Sequence, residues 1–447
     1  MADSDVLNAI DDGRVTTSHW RTAALAASAS YFDAGSIVAG ATALPLWTTR
    51  FGLTSTTVGL IAAFGSNGIS TGFGALVGGW LGDRFGRRII YTWDLLFYII
   101  GVLVVVFATS LPVVIAGYVL MGLAVGADIP NSMALLAEIA PKNSRSKLVG
   151  LGPVLWYAGP LVVTILGVAL HSTGLLGARI IFAHLAVVAL AIWFLRRKMV
   201  ESPRWQQVQA AKQERAAKSA GRPSQAKAFR AALPAFLFLA PLVTVWNIPA
   251  GTYGFFFPYL LNTAGAHSQF AADFLNMLLF VIGIVTLAIF MLVGDRINRR
   301  LSYAIFSAIA AIAFLLFVIF SVKNTAIVVA NVVLMGIGGF SATFHVWSVW
   351  NTELFETSVR SSAQGWVVAS MRFALGVWSI FLPAITGHLG FSVVALMLMG
   401  MYLFGVVFGG LFGPSTQGRP LEQIRFSWKA NFGGAKPGAS ATRTPVR

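Results

Sequence analysis

Gly79-Trp80-Leu81-Gly82-Asp83-Arg84-Phe85-Gly86-Arg87-Arg88 lies between two long apolar runs. The stretch is too short to be a domain and too charged to lie in lipid, so it caps two membrane helices on one side. A shortened echo, Gly294-Asp295-Arg296-Ile297-Asn298-Arg299-Arg300, returns in the second half, again between apolar runs. A charged loop recurring at the same place in both halves implies a duplicated helical unit.

Composition agrees with that reading. The 447 residues are 57% hydrophobic and 11% charged, where a soluble protein carries about 25% charge, and mean hydropathy is +0.76. Apolar runs of roughly 20 residues, enough to cross a hydrocarbon core of about 30 Å, recur from end to end. Twelve spans are expected, at 20–48, 55–81, 88–109, 112–139, 146–170, 177–196, 233–262, 268–293, 301–321, 325–351, 361–387 and 391–412. The fold class is all-α integral membrane, with twelve transmembrane helices in two pseudo-symmetric six-helix bundles. Residues 1–205 form the first bundle, 206–232 a linker rich in Lys, Arg, Gln and Ala with some surface helix, 233–412 the second bundle and 413–447 a tail, its end disordered. The first run begins near Trp20 with no small-residue cleavage site, so it reads as a retained span.

The net charge of +16 is one-sided. Of the 32 Lys and Arg, only Arg50, Arg179, Lys323 and Arg372 fall neither in the tails and the even-to-odd loops nor at the span ends that border them. The positive-inside rule then places both termini in the cytoplasm of a plasma or bacterial inner membrane. The basic balance is thus a signal of topology and of contact with membrane lipid, not of nucleic-acid binding, since no basic segment is interleaved with exposed aromatics. With no cysteine, disulfides and thiol chemistry are excluded. No nucleotide loop, catalytic triad order or metal-ligand spacing is present, so no enzyme activity, cofactor or metal is expected. Two repeated bundles in a membrane point to a secondary transporter.

Charges at bilayer depth are costly and usually functional. Asp33 stands midway along span 1, Asp128 midway along span 4, Asp94 about two turns into span 3 and Arg372 midway along span 11. Arg372 either pairs with one of these acids or binds a substrate carboxylate in bidentate fashion. Asp94, nearest the basic loops, is expected to brace them. His345 in span 10 reads as a substrate contact or a packing histidine.

The motifs resemble those of the major facilitator superfamily, in its sugar-porter-like, metabolite-transporting branch. Besides the loop at 79–88, Ala137-Glu138-Ile139-Ala140-Pro141-Lys142 with Arg145, Glu201-Ser202-Pro203-Arg204-Trp205, and Thr352-Glu353-Leu354-Phe355 through Val359-Arg360 stand at the matching loops. So does Pro414-Ser415-Thr416-Gln417-Gly418 with Leu421-Glu422-Gln423-Ile424. The resemblance implies a latch on the cytoplasmic side that holds the outward-open state. Asp83, Arg84, Arg87, Arg88, Glu138, Arg145, Glu201, Arg204, Asp295, Arg296, Glu353 and Arg360 are its expected members. Glu138, Arg145, Glu201 and Arg204 would form one network, and Asp295, Glu353 and Arg360 another.

The resemblance also implies a central cavity lined by helices 1, 4, 7 and 10. Trp246, Asn247, Tyr253, His345, Trp347, Trp350, Asn351 and Arg372 are the candidate substrate contacts, with polar support from Asn67, Asn131 and Gln364. Asp33 matches the helix 1 acid of proton-coupled sugar porters, and Asp128 competes with it for proton coupling. The chain departs from the branch where Tyr118 follows Gly117 in place of an Arg, and where Thr244-Val245-Trp246-Asn247-Ile248-Pro249 replaces a paired Gln. The expected activity is alternating-access transport of a small polar metabolite, sugar or polyol first and organic acid second, by proton symport and as a monomer. The alternative is a proton-coupled exporter of amphipathic or cationic compounds, suggested by the Gly159-Pro160 pair in span 5.

Overall fold

The computed structural model describes residues 11–65, 68–217, 225–263, 268–424 and 426–428. Asn67, part of the linker and the tail beyond residue 428 lie outside them. Eleven helices among the described residues are long and apolar enough to cross a membrane: α2 (Ser55–Phe85), α3 (Arg87–Val106), α4 (Leu111–Ile139), α5 (Arg145–Ala169), α6 (Leu175–Arg196), α7 (Ala228–Phe256), α8 (Phe270–Val293), α9 (Arg299–Ile319), α10 (Thr325–Glu353), α11 (Arg360–Leu389) and α12 (Phe391–Phe412). The first helix, α1 (Thr17–Phe51), has 35 residues, about 50 Å of helix. It is long enough to span but rich in Ala, Ser and Thr around Asp33, which keeps it below the apolarity of the rest. A polar helix, Pro203–Ala217, stands between α6 and α7.

Within the first half, α1 packs on α5, α4 packs on both α2 and α3, and α3 packs on α6. In the second half, α9 packs on α12 and α7 on α11. The halves meet along α2–α11, α5–α8 and α1–α7. Lipid offers no hydrophobic drive between helices, so close approach of small residues decides these crossings. A Cβ on Gly78 would overlap the Ala127 Cα, and one on Gly79 would overlap the Ser361 carbonyl. The first glycine lets α2 lie against α4 and the second lets it lie against α11. Outward, Phe97, Val187, Val285 and Val407 are each more than half exposed, the surface expected of a wall that meets acyl chains.

Two helices, α7 and α10, contain stretches of wider turn. The segments Thr252–Phe256 at the end of α7 and Met335–Ala342 within α10 are π-helical. Such bulges mark functional stretches because the wider turn frees backbone groups and lets the helix bend. Pro249 precedes the first of them. At the end away from the basic loops, Ile37 of α1 packs against Gly254, and Gly59 of α2 faces the carbonyls of Ser379 and Ile380. The halves therefore touch at both ends of the molecule.

Candidate functional site

Between those contacts lies a cavity of about 40 Å³ at the junction of α1, α4, α5, α7, α10 and α11. That volume accommodates on the order of three waters, so a solute of sugar size enters only when the halves part. Asp33 of α1 and Arg372 of α11 meet in its wall at 2.5 Å, both buried. Trp156 of α5 donates its Nε1–H to the same Asp33 oxygen at 3.0 Å. The ion pair thus ties one half of the molecule to the other at mid-membrane.

The wall's polar atoms with no hydrogen-bond partner among the described residues include Asp33 Oδ1, Asn247 Oδ1 and Trp347 Nε1. A buried polar atom without a partner costs about 1–3 kcal/mol, so these atoms favour a polar partner, water or solute. Trp246 lies tilted against Phe344 and Trp347 with ring centroids 4.9 and 5.1 Å apart, and Trp156 lies 5.6 Å from Phe344. Aromatic faces beside two acceptors and one donor suit a molecule with C–H faces and hydroxyl edges.

Of the expected substrate contacts, Trp246, Asn247, Trp347 and Arg372 line this cavity. The others stand elsewhere. Tyr253 hydrogen-bonds Asn331 and stacks on Phe257. The His345 ring nitrogen bonds the Ser146 hydroxyl at 2.6 Å, where α10 meets the start of α5. Trp350 donates to the Pro414 carbonyl at 3.1 Å, and the Asn351 carbonyl accepts from Gln364. Helical geometry explains the split: Phe344 and Trp347 share one face, His345 is turned away from it, and Trp350 lies one turn nearer the basic end. Asn131 braces α4 against α2 by donating to the Gly78 carbonyl.

Asp128 does not line the cavity. It lies at 2.5 Å from Arg196 of α6, whose same nitrogen reaches Asp94 at 3.1 Å. Asp94 therefore joins an intramembrane cluster and not the loops. Arg196 was not singled out in the sequence, because at the end of a span it reads as an interfacial cation. Trp156 was likewise missed as a site residue; its signal was a mid-span tryptophan three residues from Gly159-Pro160.

At the basic end the charges form two copies of one device. In the first, Asp83 accepts from Ser361 N at 3.1 Å and Ser362 N at 2.7 Å, the free N–H groups that begin α11. Arg87 bridges Asp83 and Glu138, and Arg360 reaches Glu138 at 3.0 Å. In the second, Asp295 accepts from Ser146 N at 3.2 Å near the start of α5, Arg299 bridges Asp295 and Glu353, and Arg145 reaches Glu353 at 3.2 Å. Each copy takes its second arginine from the opposite half. The expected grouping of Arg145 with Glu138, and of Arg360 with Glu353, is therefore corrected: the pairs cross, as they must to bridge two bundles. Burial pushes the Asp295 carboxyl above its ordinary value, and Arg299 pulls it back.

Glu201 accepts from the Arg88 backbone N–H, and Arg204 pairs with Asp11 at 2.8 Å and with Glu422. Segments near both ends of the chain thus join the charged network. Arg84, Arg88 and Arg296 keep exposed side chains. Arg84 covers the rings of Trp80 and Phe85.

Paired helical bundles, a small, largely apolar cavity between them that holds a buried ion pair, and a duplicated charged network at the basic end fit a secondary transporter of the major facilitator type. The family model described as sugar (and other) transporter matches residues 12–232 and 237–428, and the chain belongs to that family. It is 38% identical over 404 residues to the minor myo-inositol transporter IolF of Bacillus subtilis, covering 90% of this chain and 92% of that one. It is 28% identical to the inner membrane metabolite transport protein YgcS of Escherichia coli, covering 95% and 97%. Among solved structures, the proton:xylose symporter XylE bound to 6-bromo-6-deoxy-D-glucose aligns over 94% of this chain and 100% of its own, with TM-score 0.75 at 20% identity.

Proposed function

We propose that this transporter takes up a cyclic polyol or a sugar together with a proton, and that Asp33 carries the proton. The observation that carries the reading is the Asp33–Arg372 pair, which joins the halves in the wall of the cavity beside the open acceptors and donor of Asn247 and Trp347. Ionised Asp33 engages Arg372, and a protonated Asp33 releases it. The two protonation states therefore favour different arrangements of the halves. With the charge of Arg372 balanced by Asp33, a substrate carboxylate meets no net positive charge here, which ranks organic acids below neutral polyols. A wall with one acid and one base presents no net charge to a cation, which disfavours the exporter of cationic compounds. Similarity to a myo-inositol transporter supports a ring polyol.

The basic end faces the cytoplasm, with residues 1–205 and 233–412 as the moving bundles, 206–232 as their linker, 413–447 as a cytoplasmic tail and the monomer, set in membrane lipid, as the working unit. A single cysteine placed at position 215, in a chain with no native cysteine, reports on the orientation. It is expected to resist impermeant reagents in intact cells and to react after lysis; labelling from outside would overturn the orientation. Substrate class is tested by a thermal-shift screen of purified protein. Ring polyols such as myo-inositol, or hexoses, should raise the Tm, whereas stabilisation by lipophilic cations alone would favour export.

A further inference from the structure

The cluster of Asp94, Asp128 and Arg196 holds two acids against one base in the interior of the first bundle. All three are buried, with no more than 5% of any one exposed. The five N–H donors of the guanidinium are fully committed. Nη1 serves Asp128 at 2.5 Å and Asp94 at 3.1 Å, Nη2 serves the Ala26 carbonyl and the Ser28 hydroxyl, and Nε serves the Leu25 carbonyl. Arg196 is therefore fixed and supplies one positive charge. Among the described residues no Lys or Arg other than Arg196 pairs with either acid; α1 offers carbonyls and Ser28, and α3 offers the Tyr91 ring 5.0 Å from the guanidinium. Glu201 beyond α6 adds only negative charge. With both carboxyls ionised the cluster would carry one uncompensated negative charge in a low-dielectric interior, a state avoided by taking up a proton.

The cluster also connects to the cavity. Ser132, one turn beyond Asp128 on α4, lines the cavity and donates its hydroxyl to Asp128 Oδ1 at 2.5 Å. Asp94 lies about 10 Å along α3 from its basic end. We propose that Asp94 and Asp128 form a second proton-binding site that holds one proton between two carboxyls and exchanges it with the central cavity through Ser132. In loading, a hydronium ion in the cavity gives its proton to the Ser132 oxygen as the hydroxyl passes its own to Asp128, leaving a neutral water, and release runs the same relay in reverse. The hydroxyl is regenerated and no other reactant is consumed. The site is separate from Asp33 and does not depend on which solute is carried.

Infrared spectroscopy of purified protein at neutral pH, without substrate, tests this. In an Asp33→Asn background, a carboxylic-acid carbonyl band is expected. It should vanish in Asp94→Asn and again in Asp128→Asn, because one remaining carboxylate then matches one guanidinium. Ser132→Ala should keep the band and slow its hydrogen–deuterium exchange at least tenfold. Persistence of the band in both Asn variants, or its absence from the background protein, would overturn the site. Unchanged exchange in Ser132→Ala would overturn the route. None of these readouts requires transport, so failure of the symport reading leaves them interpretable.

Discussion

Asp33→Asn is expected to abolish uphill accumulation of polyol in proteoliposomes, a loss of more than tenfold, while substrate binding and exchange persist. Asparagine copies the shape of the protonated acid but cannot release a proton. It also strands Arg372, buried at mid-membrane, and removing one partner of such a pair costs about 3–5 kcal/mol. Arrangements that hydrate Arg372 should then be favoured, and the protein should melt at lower temperature. Adding Arg372→Gln should recover stability without recovering accumulation, since it removes the stranded charge and not the missing proton carrier. Accumulation that survives in Asp33→Asn would make this acid structural and move coupling to the Asp94–Asp128 pair.

Asp83→Asn is expected to shift the resting population towards the state open at the basic end and to lower transport, with little effect on membrane insertion. Asp83 bonds two N–H groups at the start of α11 and Arg87 beside it. Charge-assisted hydrogen bonds of this kind contribute about 1.5–3 kcal/mol, roughly a tenfold to hundredfold change in population. Asp295→Asn should act in the same direction more weakly, because Asp295 receives one backbone N–H where Asp83 receives two. Spin labels at Arg84 and Glu356, exposed on opposite halves, report the separation. Distance distributions unchanged by Asp83→Asn would remove the latch from the account.

The repeated loop at 79–88 and 294–300 was legible because charge cannot hide in lipid, and its recurrence alone implies the duplicated helical plan. Which charges meet was not legible. Arg360 and Glu138 are far apart in the chain, and a loop motif read in its own half suggests partners nearby. The cavity was half legible. Trp246, Asn247, Trp347, Arg372 and Asp33 follow from polar or aromatic character at mid-span. His345, Tyr253, Trp350 and Asn351 have the same character, and only the rotation and depth of each helix separate them. The missing Arg after Gly117 removed a partner within the first bundle, and the sequence left Arg372 between pairing with an acid and binding a substrate carboxylate. The structure pairs it with Asp33, a tie between the two halves.

The most direct measurement is the simultaneous entry of protons and labelled myo-inositol into proteoliposomes holding the native protein, with Asp33→Asn beside it. The account predicts that each addition of polyol drives a matching inward flow of protons in the native protein, and none in the variant. Polyol entry that proceeds with no proton flow in the native protein would contradict it.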